Sequence, residues 1–139
     1  MRFRFHKFDK FGFLLFVKSF SAEILRKPTA NEKCGELYSV DDLCKKLLKN
    51  ASIYALNGGG ITFSGGEPLS QATFLLECLK ALNGKVNRAI QTTGYCPTET
   101  FNKIIKEIDL ALYDIKLIDD ENHVKYTGVS NKLILENYK

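Results

Sequence analysis

Apolar positions between residues 39 and 115 alternate between two periods, and the alternation predicts a helix followed by strand, helix, strand, helix and strand. Leu43, Leu47 and Leu48 recur at helical spacing after Ser39, with Asp41 and Asp42 in the first turn and Asp42 three places on, in the capping-box position. Residues 27–38, by contrast, read as loop. A short β-prone run at 61–64 predicts the first strand, and from about Ser70 to Leu82 the residues Phe74, Leu75, Leu79 and Leu82 share one helical face. The unit then repeats: 87–92 predicts a second strand, Pro97 and Thr98 open a helix carrying Phe101, Ile104, Ile105 and Ile108, and 109–115 predicts a third strand.

Strands alternating with helices at this spacing imply an α/β fold of parallel βαβ units, either an open sheet or part of a barrel. In both architectures ligands gather at the C-terminal ends of the strands. That rule selects Gly65, Gly66 and Glu67 after the first strand, Thr92, Thr93 and Gly94 after the second, and Asp114, Ile115 and Lys116 after the third. The most informative stretch is residues 58–68, where five glycines and one carboxylate surround a β-prone segment. Gly65 and Gly66 permit positive φ or close ligand approach, and Pro68 biases Glu67 toward extended geometry. Asp114 and Lys116, two apart on a predicted strand, leave the same face. Glu67, Asp114 and Lys116 together would match a zwitterion, with carboxylates toward an ammonium or metal cation and the lysine toward a carboxylate. Thr92 and Thr93 could orient such a ligand through their hydroxyls. The plainer readings are a glycine-rich turn, a surface ion pair and β-branched strand termination. His123 would be the general acid or base by default, against a plainer role as a solvated residue at a polar helix start.

Composition narrows the class. With 139 residues, 45% of them hydrophobic and 26% charged, the chain has the size of one globular domain. A net charge of +4 of mixed sign, without a dense basic run interleaved with aromatics, argues against nucleic acid as a partner. No window reaches about 18 apolar residues, so no membrane span is expected. The first 20 residues hold seven of the ten Phe residues among Arg2, Arg4, Lys7, Lys10 and Lys18, a composition shift that sets off residues 1–34 as an atypical N-terminal segment from a domain at 35–139. Arg2, Arg4 and Lys7 before the apolar 11–17 faintly suggest a signal peptide, but Asp9 and Lys10 interrupt it, so a structural or poorly ordered terminus is expected. Cys34, Cys44, Cys78 and Cys96 lie 10, 34 and 18 positions apart, without the close pairs typical of zinc or cluster sites. Reduced, cytoplasmic thiols are the default reading, ahead of a disulfide scaffold or a small zinc protein.

The ordered series 64–69 (SGGEPL) with Gln71, 92–95 (TTGY), 112–116 (LYDIK), His123 and 127–131 (TGVSN) resembles the central part of the glycyl-radical-enzyme activating enzymes, radical S-adenosylmethionine proteins of the pyruvate formate-lyase activating type. The resemblance covers about residues 35–139 and implies a fragment of a partial TIM-type (β/α) barrel. In that family a [4Fe-4S] cluster binds S-adenosylmethionine and reduces it to a 5′-deoxyadenosyl radical, which abstracts hydrogen from a glycine of a partner glycyl radical enzyme. Carried over, Gly65, Gly66 and Glu67 would contact the amino end of the methionine moiety, and Asp114, Ile115, Lys116 and Leu117 would lie against its carboxylate. Asp114 would also neighbour a possible monovalent cation, although Gln91 stands where the family often has an acid. The chain departs from the family upstream, because it contains no CxxxCxxC motif, and at Lys27, where a cysteine commonly precedes the proline. Three thiolates at that spacing ligate three irons and leave the fourth open to the cofactor. The chain also stops before the later strands of the half-barrel. The expectation is therefore a truncated relative that keeps part of the S-adenosylmethionine surface and is inactive alone, the alternative being a non-catalytic partner-binding or split-barrel module.

Overall fold

In the computed structural model, which describes residues 4–7, 13–17, 37–56 and 58–139, a five-stranded sheet runs in the order β1 (Arg4–Lys7), β2 (Phe13–Val17), β3 (Gly60–Gly65), β4 (Asn87–Thr92) and β5 (Leu110–Tyr113). β1 is antiparallel to β2, and β2 through β5 are parallel. Parallel neighbours need a crossover, and the helices supply it: a 3-10 turn (Pro68–Gln71) and α3 (Ala72–Leu82) join β3 to β4, and α4 (Thr98–Ile105) joins β4 to β5.

Period-two patterning puts Ile61, Phe63 and Ile90 into one core with Leu43 and Leu47 of α1 (Val40–Leu48), Leu75, Leu79 and Leu82 of α3, and Phe101 and Ile104 of α4. Each such side chain, fully buried, contributes about 1.5–3 kcal/mol relative to exposure, so this single face carries most of the cohesion. The alternate positions leave the opposite face open: Gln91, Leu110 and Leu112 are exposed there. Helix α1 starts where its capping pattern puts it, with the Ser39 hydroxyl accepting from the Asp42 N–H at 3.1 Å and donating to the Asp42 carboxylate at 2.7 Å.

Several elements depart from the sequence reading. The third strand is shorter than 109–115: it ends at Tyr113, because the Asp114 N–H makes the last ladder-like bond, to Thr92 O at 2.9 Å, before the chain turns away. Asp114 and Lys116 are thus loop residues rather than strand residues. Pro68 starts the turn before α3 as a 3-10 segment, since it lacks the N–H an α-helix would use further in. Helices α2 (Ala51–Leu56), α5 (Asp120–Thr127) and α6 (Lys132–Tyr138) were too short or too polar to stand out by periodicity. Residues 13–17 of the apolar run read as part of a faint signal peptide form the backbone of β2 beside β3, and residues 11–12 lie outside the described residues. Residues 27–34, including Lys27 and Cys34, lie outside the described residues.

Candidate ligand site at the rim of the sheet

Glu67 follows β3 in extended conformation (φ −130°, ψ 114°) and caps the 3-10 turn. One of its oxygens, Oε1, accepts from the Leu69 N–H at 3.1 Å and the Thr92 hydroxyl at 2.5 Å. The other, Oε2, accepts from the Thr93 N–H at 2.9 Å and the Thr93 hydroxyl at 2.7 Å. An ionised carboxylate has about four acceptor positions, and here all are taken by the protein. The side chain read from sequence as facing a ligand therefore straps the loop after β3 to the loop after β4. Thr92 is buried, and its hydroxyl also accepts from the Gly94 N–H at 2.9 Å.

The loop after β4 is moulded on Tyr113. Gly94 has φ +75°, and a Cβ there would lie 1.7 Å from the Tyr113 hydroxyl, so the position tolerates only glycine. Tyr113 in turn donates to Ile134 O of α6 at 2.6 Å. Burial, and secondarily repulsion from Cys96 and Glu67, pushes the Tyr113 phenol up to about 12, so it stays a neutral donor. From the same helix, the buried Asn137 donates to Gly94 O at 2.7 Å and Cys96 O at 2.8 Å.

After β5, Lys116 donates to the Asp114 carboxylate, both groups reaching solvent. The segment behind them is pinned by Asn131, whose amide donates to Leu117 O at 3.0 Å and Ile118 O at 2.7 Å. Asp120 accepts from the Ser130 hydroxyl at 2.8 Å and the Asn131 N–H at 2.9 Å, bonds that hold its carboxyl below the usual range. The rim thus gathers Glu67, Thr92 and Thr93 into one hydrogen-bonded set, joined by the backbone N–H of Asp114 to Thr92 O, with Ile115, Lys116 and Leu117 continuing from it. Gly65, at φ +131°, supplies a bare backbone at the end of β3. This combination, exposed groups of both signs beside uncovered backbone, suits the zwitterionic end of an amino acid.

His123 is not solvated. It is 2% exposed, and its Nδ1 lies 2.7 Å from Val129 O, a carbonyl that can only accept, so Nδ1 carries the proton and anchors the 127–131 turn. The sequence reading passed over Asn137; the available signal was a polar residue three positions after Ile134, on the buried side of α6.

An iron–sulfur cluster does not fit the described cysteines. Cys44, Cys78 and Cys96 are free and buried, and no three of the described His, Cys, Asp or Glu residues gather to hold a metal. Burial, with further repulsion from Cys44, drives the Cys78 thiol up to about 12, and burial also raises Cys44 and Cys96, whereas cluster ligation needs thiolates.

At the opposite end of the strands a cleft of about 400 Å³ is lined by Tyr54, Gly59, Lys85, Asn87, Arg88 and Asp109 among others. Its charged groups already have partners, Lys85 donating to Ala81 O at 2.8 Å. Arg88 donates to Asp109 through Nε at 3.3 Å and to Leu79 O at 3.2 Å, and lies 3.8 Å from Glu107.

Residues 22–135 match the family described as 4Fe-4S single cluster domain, and the chain belongs to that family. It is 45% identical over 112 residues to the trans-4-hydroxy-L-proline dehydratase activating enzyme of Clostridioides difficile, covering 79% of this chain and 37% of that protein. It is 47% identical over 105 residues to the 4-hydroxyphenylacetate decarboxylase activating enzyme of C. difficile strain CD196, covering 75% and 33%. The (2S)-3-sulfopropanediol sulfolyase activating enzyme of Bilophila wadsworthia is 38% identical over 104 residues, covering 74% and 34%. These matches bear out the likeness to radical S-adenosylmethionine activating enzymes, and the chain spans about a third of the length of the curated relatives it matches.

Proposed function

We propose that this member of the 4Fe-4S single cluster domain family carries the S-adenosylmethionine-binding rim of a glycyl-radical-enzyme activating protein, on residues 35–139 and as part of a partial (β/α) barrel. The observation that carries the reading is the convergence of three strand-end loops, in which Glu67 is consumed in holding the loops while Asp114 and Lys116 form a solvent-exposed pair that a ligand can exchange with, near the exposed backbone of Gly66. Backbone at Gly65, Gly66 and Glu67 would receive the amino end of the methionine moiety, Thr92 would fix the loop beside it, and Asp114, Ile115, Lys116 and Leu117 would face its carboxylate. A monovalent cation beside Asp114 would have to displace Lys116, which already sits there.

The relatives are named as activating enzymes of other enzymes, which supports a glycyl radical enzyme as partner. The cytoplasm is the proposed compartment, in keeping with free thiols in the core. Among the described residues no helix is long and apolar enough to cross a membrane. Reductive cleavage of the cofactor requires a cluster that the described cysteines do not fit, so we assign binding, and not radical generation, to this chain alone.

Titration of the full chain with S-adenosylmethionine, followed by amide chemical shifts, tests this. Saturable shifts at Gly65, Gly66 and 114–117 are expected, and lost in Lys116→Ala; no saturable binding, or binding indifferent to Lys116, overturns it. Anaerobic iron–sulfur reconstitution is expected to yield no [4Fe-4S] absorbance.

A second reading, a split-barrel module, is favoured by one feature: Leu110 and Leu112 of β5 are exposed on the sheet face opposite the helices. It predicts a stable complex that covers this face, and a monomer by size exclusion in the presence of candidate partners would count against it.

A further inference from the structure

We propose that α6, with Asn131 at its start, is a clip that fixes the two ligand-bearing loops relative to one another, so that Asn131 and Asn137 are positioning residues for the rim. The part of this concerning a ligand rests on the S-adenosylmethionine reading; the part concerning the loops does not.

A carboxamide nitrogen is one atom with two hydrogens, and in each of these asparagines both are spent on consecutive or near-consecutive carbonyls of a single loop. Asn131 grips the loop after β5 through Leu117 and Ile118, and Asn137 grips the loop after β4 through Gly94 and Cys96. Reversing the Asn137 amide would set its oxygen against two carbonyl oxygens, so the orientation is forced. Its Oδ1 is buried without a protein partner, which means the residue serves those two carbonyls and nothing else among the described residues.

Between the two grips, Ile134 is buried and its carbonyl receives the Tyr113 hydroxyl at 2.6 Å. Six residue steps along the helix set the two asparagines about 9 Å apart at 1.5 Å each, a rigid span between two loops that are also joined by the Asp114 N–H donating to Thr92 O. A displacement of Gly94 passes directly to Thr93, whose N–H and hydroxyl hold Glu67, and so to Gly66. The helix thereby sets three loops while contributing none of the groups proposed to touch the ligand.

Amide hydrogen exchange and S-adenosylmethionine titration on the full chain test the clip, comparing wild type with Asn131→Ala, Asn137→Ala and the exposed control Lys103→Ala. Asn137→Ala is expected to lower protection at Thr93 and Gly94 by about tenfold, and Asn131→Ala to do the same at Asp114, while Ile90 stays protected in both. Each variant is expected to weaken S-adenosylmethionine by about tenfold, and the double variant by no more than the larger single, the mark of one coupled unit. Should Asn137→Ala fail to fold, Asn137→Asp carries the test: it keeps the shape but offers acceptors to both carbonyls. Its protonated carboxyl regains one donor, so protection at Gly94 should recover as pH is lowered, a profile wild type lacks. Unchanged protection at Thr93 and Gly94 overturns the clip, and lost protection with unchanged affinity overturns its positioning role. If wild type itself fails to bind S-adenosylmethionine, the ligand reading falls and the exchange comparison alone decides the clip.

Discussion

At the N-terminal ends of β4 and β5, Glu107 and Asp109 surround the buried Arg88 in an ionic knot beside a cleft; at the C-terminal ends of the same strands, Thr92, Asp114 and Lys116 form a polar rim with Glu67. Both clusters mix charges and hydrogen bonds, and the cleft belongs to the first. What separates them is the exposure of the cation, 8% for the Arg88 side chain and 57% for that of Lys116. The Arg88 guanidinium is sunk among Asp109, Glu107 and Leu79 O, and Lys85 donates to Ala81 O, so the charged groups around the cleft are already engaged. The rim spends one carboxylate and two carboxamides on holding loops and leaves a solvent-facing pair of Asp114 and Lys116, whose only mutual hold is an exposed contact that a ligand can replace. A polar cluster is therefore evidence of a site only where its charged groups can exchange their internal partners for a ligand at the surface.

Substitutions that strike the two ends differently put this contrast at risk, and the largest effect is expected at Gly94. Gly94→Ala combines a disfavoured φ with a collision against Tyr113 and should cost about 3 kcal/mol in denaturant unfolding. At the other end, Arg88→Ala removes buried charge-assisted bonds and should cost about 2 kcal/mol while leaving S-adenosylmethionine titrations unchanged. Binding that falls with Arg88 would break the comparison. Glu67→Gln should cost about 1 kcal/mol, read in the same unfolding experiment, because an amide cannot accept all four rim bonds. Lys116→Ala should change stability by less than about 0.5 kcal/mol, as exposed pairs do, yet abolish the proposed ligand contact.

The smallest signal is in acid. Burial raises the Asp109 carboxyl, but the Arg88 N–H and guanidinium more than offset this and leave it below the usual range. A carboxyl lower in the folded state than in the unfolded contributes stability above the unfolded value of about 4, and that contribution is lost as pH falls through the folded value. A pH series of unfolding midpoints should show this limb in wild type and not in Asp109→Asn. Solvent screening keeps it small.

The parallel order β3, β4, β5 and the three rim constellations were legible because period-two runs, glycine punctuation and the strand-end rule act over short windows. Asp114 and Lys116 were assigned to a strand because a β-like pattern does not announce where the ladder stops. The role of Glu67 was not legible either: its sequence neighbours suggest an aimed carboxylate, and only the packing of β4 beside β3 shows that two threonines fill it. Asn137 escaped for the same reason at greater range, since its partners lie 41 and 43 residues away. His123 was misjudged because its helix is polar overall while this one position points inward.

Those separations bear on the order in which the molecule is made. Gly94 leaves the ribosome 43 residues ahead of the amide that holds it, whereas the Ile61 to Arg88 pairing closes over a shorter stretch. Closing the longer segment costs only a few tenths of a kcal/mol more in chain entropy, roughly (3/2)RT ln of the length ratio, but it must wait for the later residues to emerge. A nascent chain can thus build its apolar sheet before its rim has shape, and pulse-labelled exchange on stalled chains should find Ile90 protected while Thr93 is still open.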